Sequence, residues 1–176
     1  MRLNLGCGLR HLPGFINCDK NPACHPDRVV DLEGPLPFPN NSSEVVVLDN
    51  VAEHIQNLMG LMGELHRIVR PGGIIKVHVP HVSYIGAWQD YTHVRWFSLH
   101  SLDYFLEGFE YNFYSEVRFK MLSRKLQFTG RRFKFLNCLS WAVNHTSQDL
   151  WERLFCWMLP MSGLEFVLTP VKKGGK

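Results

Sequence analysis

The stretch from residue 44 to residue 79 constrains the fold most. Glu44-Val45-Val46-Val47-Leu48-Asp49 places four consecutive apolar side chains between two acids, the pattern of a strand buried on both faces of a parallel sheet. From Ile55, the residues Leu58, Leu61, Met62, Leu65, Ile68 and Val69 follow at helical spacing. Arg67 and Arg70 fall in the last turn of that helix, and Pro71-Gly72-Gly73 is expected to stop it. Ile74–Val79 then reads as a second strand. Strand, helix, turn and strand make a βαβ unit, so the chain builds an α/β sheet.

Three shorter runs precede this unit. Arg2–Leu5, Phe15–Asp19 and Arg28–Asp31 are apolar and bounded by Gly, Pro, Asn or Asp, and each reads as a strand. Only Gly6–Gly14 and Lys20–Asp27 connect them, and a parallel crossover with a helix takes a dozen residues or more. At most a helical turn fits there. Beyond residue 80, Ser98–Gly108 is a helix candidate, with Leu99, Leu102, Phe105 and Leu106 on one side. Val117–Phe128 and Leu164–Val171 read as strands. Between them, residues 136–159 carry helical spacing (Leu150, Trp151, Leu154, Phe155, Met158) and end at Pro160, which makes a helical insertion before the final strand.

With 176 residues the chain suits a single domain, its first half (1–80) and second half (81–176) forming parts of one core. Apolar residues make up 45% and charged residues 20%, which is globular rather than disordered composition. The net charge of +3 is unevenly spread: residues 89–176 hold twelve basic against eight acidic side chains. That skew points to an anion-facing surface but is too mild to mark nucleic-acid binding. No charge-free stretch is long enough to span a bilayer. The N-terminus lacks an apolar leader, and the five cysteines include no C-x-x-C pair. Reduced thiols and a cytoplasmic protein are therefore expected.

Chemistry first shows in Leu3-Asn4-Leu5-Gly6-Cys7-Gly8, where two glycines directly after the first strand let backbone approach a ligand. Asp19 closes the second strand, and Asp31, followed by Leu32, closes the third. Acids at neighbouring strand ends around a glycine loop make a crevice suited to a nucleoside, whose ribose hydroxyls an acid can bind.

These residues, with Pro35-Leu36-Pro37-Phe38, Glu53-His54-Ile55, Glu64-Leu65-His66-Arg67 and Arg70-Pro71-Gly72-Gly73, resemble the class I S-adenosylmethionine-dependent methyltransferases, in the type 11 group. The resemblance implies a Rossmann-like, mostly parallel sheet whose last strand is antiparallel, here with a minimal N-terminus. It implies S-adenosylmethionine as cofactor, with the loop Gly6, Cys7 and Gly8 against its methionine part. Asp19 would hold the ribose and Asp31-Leu32 lie against the adenine. Asp49-Asn50, at the end of the fourth strand, would approach the methionine end and the acceptor. Asn4 stands where the family often has an acid. Glu53-His54 is expected to pack at the helix N-terminus rather than to act in catalysis. Asp49-Asn50-Val51-Ala52 lacks the Pro-Pro motif that accompanies methylation of base or protein amide nitrogens, which points toward oxygen.

The acceptor side is expected at the end of the fifth strand and beyond, in Pro80-His81-Val82-Ser83-Tyr84 and Asp90-Tyr91-Thr92-His93-Val94-Arg95. A hydroxyl acceptor must lose a proton, and histidine titrates in the right range. His81 and His93 are the candidate bases, Asp90 an orienter or alternative base, and Arg95 a holder of an anionic group. His81, Asp90, His93 and His100 could hold a metal, but no dense ligand spacing demands one, so no metal is expected.

Arg118, Lys120, Arg124, Lys125, Arg131, Arg132 and Lys134 form a basic run without an acid. A solvated edge strand explains it most simply; a sugar phosphate, lipid head group or RNA is the sharper alternative. With Trp141, Trp151, Phe155 and Trp157 it could also give weak contact with a membrane surface. The expected reaction is methyl transfer to a small-molecule or glycan-linked acceptor at oxygen. A non-catalytic binding module on the same fold is the competing reading. RNA methylation and an NAD-dependent oxidoreductase fit less well, since Asp19 follows Gly8 by eleven residues instead of the roughly 20 of dinucleotide folds. The oligomeric state is not encoded in these motifs.

Overall fold

The computed structural model describes residues 1–128 and 137–172. Seven strands form one sheet: β1 (Arg2–Leu5), β2 (Ile16–Asp19), β3 (Arg28–Val29), β4 (Ser43–Asp49), β5 (Val69–Pro80), β6 (Arg118–Gln127) and β7 (Gly163–Val171). Their order across the sheet is β3-β2-β1-β4-β5-β7-β6. The first five pair in parallel, and β7 lies antiparallel between β5 and β6. The order reverses between β1 and β4. At such a switch point the strand ends splay apart and leave a crevice for a ligand.

One face of the sheet carries most of the apolar core. Leu3, Leu5, Val46, Leu48, Ile75, Val77, Val79, Leu164, Phe166 and Leu168 are all buried there. Helix α1 (Leu58–Ile68) supplies the matching stripe of Leu58, Leu61, Met62, Leu65 and Ile68. Its N-cap is Asn57, whose side chain accepts from Gly60 N at 2.9 Å. The opposite face is different: Val45, Val47, Ile74, His78, Glu165, Val167 and Thr169 are only half-buried, and Lys76 is exposed. The short connections explain the asymmetry, because those after β1, β2 and β3 carry no α-helix, and helices there would have layered the second face.

The segment Pro35–Phe38 is pinned to α1 by one arginine. Arg67 donates to the carbonyls of Leu36 and Phe38, to Asn40 and to Glu64, while Glu64 Oε2 accepts Leu36 N at 2.6 Å. That cluster gives a physical reason for finding Pro35–Phe38 and Glu64–Arg67 together in the sequence.

Several expected boundaries shift. The helix ends at Ile68 and the chain enters β5 at once, so Pro71-Gly72-Gly73 does not terminate it. Ser43 pairs with Val69 and Val45 with Ile74, so the tripeptide loops out within β5 as an irregularity. β3 shrinks from the expected Arg28–Asp31 to two residues at the sheet edge, with Val30 N still donating to Asp19 O. The helix expected over Ser98–Gly108 is a chain of turns with a single 3-10 turn at Asp103–Phe105. Side chains outbid the helical ladder there: Ser98 N donates to Ser101 Oγ and Leu99 N to Glu152 Oε1.

The insertion before β7 contains α3 (Asn137–His145) and α4 (Gln148–Leu154), after a four-residue α2 (Gly86–Gln89) earlier in the chain. Trp151 of α4 is buried, whereas Trp141, Phe155 and Trp157 are exposed. β6 is an edge strand, as the basic run suggested. Arg124 is tied to Asp103, and Arg118 donates to the carbonyls of Ser115 and Val117. Arg131, Arg132 and Lys134 lie outside the described residues. No helix among the described residues is long and apolar enough to cross a membrane.

Candidate active site

Asn4 organises the β1–β2 connection and lines a small hollow beside a larger crevice. It is buried in β1, and its amide donates to Arg10 O and to Asn17 Oδ1, each at 2.9 Å. Asn17 Oδ1 also accepts Leu12 N, and the Asn17 amide donates to Asp27. This network ties down a β1–β2 connection too short for a helix. A carboxylate at position 4 could not donate either bond, which accounts for asparagine at this position.

Above it runs a crevice of about 360 Å³ lined by Gly6, Asp19, Val30, Asp31, Leu32, Asn50, Val51, Ile55, His54 and Thr92, among others. Gly6 has a φ of +70°, and a Cβ there would stand 2.5 Å from Val51 Cγ2, so only glycine fits. Gly8, at φ +48°, donates its N–H to Asp19 Oδ2 at 2.8 Å, while Asn21 N donates to Asp19 Oδ1 at 2.9 Å. These bonds fix the carboxylate and leave each oxygen a lone pair for a ribose hydroxyl. Val30, Leu32, Val51 and Ile55 offer apolar walls for a purine. Glu33 braces that side by accepting Gln56 N and Asn57 N. The residues present fit an adenosyl group.

Of the residues read from the sequence, Gly6, Asp19, Asp31, Leu32 and Asn50 line this crevice, and Gly8 buttresses Asp19. Cys7 and Asp49 line a smaller neighbouring hollow instead. Asp49 is drawn away by Arg10 and by His78, whose Nδ1 lies 3.1 Å from its Oδ1. The His78 partnership holds the Asp49 carboxyl below its ordinary range.

The acceptor side differs more. His81 is fully buried with both nitrogens engaged: Ser83 N donates to Nδ1 at 3.1 Å, and Nε2 faces Glu152 Oε1 at 3.0 Å. It joins β5 to α4 and does not line the crevice, so the expectation of a base at His81 is corrected to a structural tie. Arg95 donates to the carbonyls of Ile55 and Gln56 and clamps two segments together rather than facing a substrate. His93 and Asp90 do not line the crevice themselves but touch Thr92 and His54, which do. Asp90 Oδ1 accepts both the N–H and the hydroxyl of Thr92, and the His93 ring packs edge-on against His54 at 4.7 Å.

Sequence reasoning assigned Glu53-His54 to packing alone. His54 lines the crevice, and its Nδ1 lies 2.9 Å from Thr92 Oγ1. Burial, aided by nearby His93, lowers its pKa, so the ring is neutral at pH 7. Glu53 is 1% exposed, neither of its carboxylate oxygens has a hydrogen-bond partner, and burial pushes its pKa up to about 7. The pairing was hidden because His93 lies 39 positions beyond His54, in a segment with no regular secondary structure to set its direction.

Residues 12–77 match the methyltransferase domain family Methyltransf_11. That match takes in 66 of the 176 residues, whereas the strand order 3-2-1-4-5-7-6 runs across the whole sheet. The chain is similar to that methyltransferase domain over residues 12–77. Solved structures agree on the fold. A protein of Bacillus subtilis, YcgJ, superposes with a TM-score of 0.56 at 15% identity, over 98% of this chain and 92% of its own. A SAM-dependent methyltransferase from Archaeoglobus fulgidus gives 0.58 at 15% identity, over 95% and 84%. Phosphoethanolamine N-methyltransferase 2 of Haemonchus contortus, solved with S-adenosyl-L-methionine, gives 0.56 at 13% identity, over 97% of this chain and 48% of its own. A comparison with curated protein sequences found no match.

Proposed function

We propose that this chain is an S-adenosylmethionine-dependent methyltransferase acting on a hydroxyl oxygen of a small-molecule or glycan-linked acceptor, with its cofactor held by Gly6, Asp19, Asp31 and Leu32. The observation that carries the reading is the line His54 Nδ1, Thr92 Oγ1, Asp90 Oδ1 at the crevice wall. Thr92 gives its hydroxyl proton to Asp90 at 2.6 Å, so its oxygen accepts from His54 Nδ1–H. That fixes the tautomer and leaves His54 Nε2 with a free lone pair, the arrangement of an oriented proton acceptor.

When bound, S-adenosylmethionine supplies a methyl group already activated on a sulfonium. What the chain must add is alignment of the acceptor and removal of its proton. His54, neutral at pH 7, is suited to the second task, with Thr92 and Asp90 holding its ring. A binding module without catalysis would need no such acceptor beside its ligand. The five thiols, all unpaired, suit the reducing cytoplasm.

The test is transfer of labelled methyl from S-adenosylmethionine to a panel of sugars, polyols and phenols, with amines and RNA alongside. The reading expects labelled product with a hydroxyl acceptor, reduced by about 100-fold in kcat in His54→Gln, within the range of a lost general base. Labelling confined to amines or RNA would overturn the oxygen assignment.

A further inference from the structure

We propose that Glu53, His54 and His93 form a binding site for a divalent first-row transition-metal ion at the acceptor end of the crevice. One potential ligand atom from each lies within 4.8 Å of the others. Two histidines and one carboxylate are a donor set that suits ions of the iron-to-zinc series.

The hydrogen bonding leaves a cation missing from this cluster. His54 spends Nδ1 on Thr92, and His93 Nδ1 donates to Ala87 O at 2.8 Å. Each ring therefore keeps Nε2 without a hydrogen bond, His93 Nε2 lying 3.8 Å from Asp90 Oδ2, and the contact on the other nitrogen is the outer partner that ligating histidines characteristically have. The third member is Glu53, whose two oxygens are buried with no donor at all. Three potential ligand atoms thus share one small volume. A buried, unpartnered carboxylate is costly and calls for an explanation, and a divalent ion supplies one.

The site is also built to keep its shape. Val94 N donates to Glu53 O at 2.9 Å, and Arg95 clips the carbonyls of Ile55 and Gln56. These bonds lock the segment carrying His93 onto the segment carrying Glu53 and His54. Ligands on one tetrahedral ion sit about 3.4 Å apart at typical metal–ligand distances of about 2.1 Å. An inward movement of about 1.4 Å at most closes the cluster on an ion. His54 and Thr92 line the crevice, so the ion borders the space of the acceptor. With the ion bound, His54 Nε2 is a ligand and no longer the proton acceptor, and the ion would instead hold an acceptor oxygen and ease loss of its proton. That use rests on the transfer reading above, whereas the binding itself does not.

The test uses Co²⁺ as probe on the intact, metal-stripped chain, read by visible d–d absorption and by metal analysis after desalting. One equivalent is expected, displaced by Zn²⁺ and accompanied by a rise in Tm. In His93→Ala and Glu53→Gln, both checked for cooperative melting, affinity is expected to fall by about tenfold or more. His100→Gln, outside the cluster, is expected to bind as the parent does. No saturable Co²⁺ binding by the folded parent, or equal binding by both cluster variants, would overturn the site. Cofactor titration keeps the two ideas apart: metal bound without S-adenosylmethionine binding would sink the transfer reading and leave this one standing.

Discussion

Glu152 Oε1 accepts from His81 Nε2 at 3.0 Å and from Leu99 N at 2.7 Å. One oxygen of α4 thereby joins the end of β5 to the loop that opens the second half of the chain. Burial pushes the Glu152 carboxyl upward, but these two bonds outweigh it and hold the pKa below the ordinary range. Replacing Glu152 with Ala strips a buried imidazole N–H of its acceptor. We expect a loss of about 1.5–3 kcal/mol in denaturant unfolding, the range for hydrogen bonds to a charged group. Cofactor affinity should be unchanged within about twofold, because the tie lies outside the crevice.

Asn4→Asp tests why this chain has an amide in β1. The carboxylate would face Arg10 O and Asn17 Oδ1, both acceptors. Stability should fall by about 1–3 kcal/mol, as for a buried group left unpaired. Asn4→Asp should also weaken cofactor binding by loosening the glycine loop. Parent-like stability by chemical denaturation would show that the network is not needed.

Much of this was legible in the sequence because it depends on local pattern. The run Val45–Leu48 and the spacing Leu58 to Ile68 report burial directly, and β4, α1 and β5 follow from them. That Gly6, Asp19 and Asp31-Leu32 meet at one crevice was readable because strand ends in a parallel sheet converge on one edge. The misses share a different cause. Ser98–Gly108 has helical apolar spacing, yet contacts from Ser101 and from distant Glu152 decide its backbone. His81 looked catalytic from its position after β5, but its partner Glu152 lies 71 residues on. Glu53 and His93 meet through an irregular segment whose path no periodicity encodes.

Acid–base behaviour gives a third test. His100 Nδ1 lies 2.5 Å from Asp103 Oδ2 and Nε2 lies 2.6 Å from Asp149 Oδ1. Burial lowers the His100 pKa, but hydrogen bonds to Asp149 and Asp103 overcome this and raise it above 6.5. A raised histidine stabilises the fold fully below its unfolded value of 6.5, and this stability is lost as pH rises through the folded value. Tm should therefore decline modestly just above pH 6.5, by less in His100→Gln. The ring is half exposed, so the contribution is at most about 1 kcal/mol and shrinks in high salt. An identical Tm profile in His100→Gln would remove the ion pairs from the account.

The central claim is that the crevice at Gly6, Asp19 and Asp31-Leu32 holds S-adenosylmethionine, and calorimetric titration tests it most directly. The parent is titrated with S-adenosylmethionine and its demethylated product, with NAD as control and Asp19→Ala alongside. The account predicts saturable one-to-one binding of both sulfur compounds and none of NAD. In Asp19→Ala it predicts a weakening of about tenfold or more, equivalent to at least about 1.4 kcal/mol. No saturable binding to the folded parent, or equal binding by the variant, would contradict it.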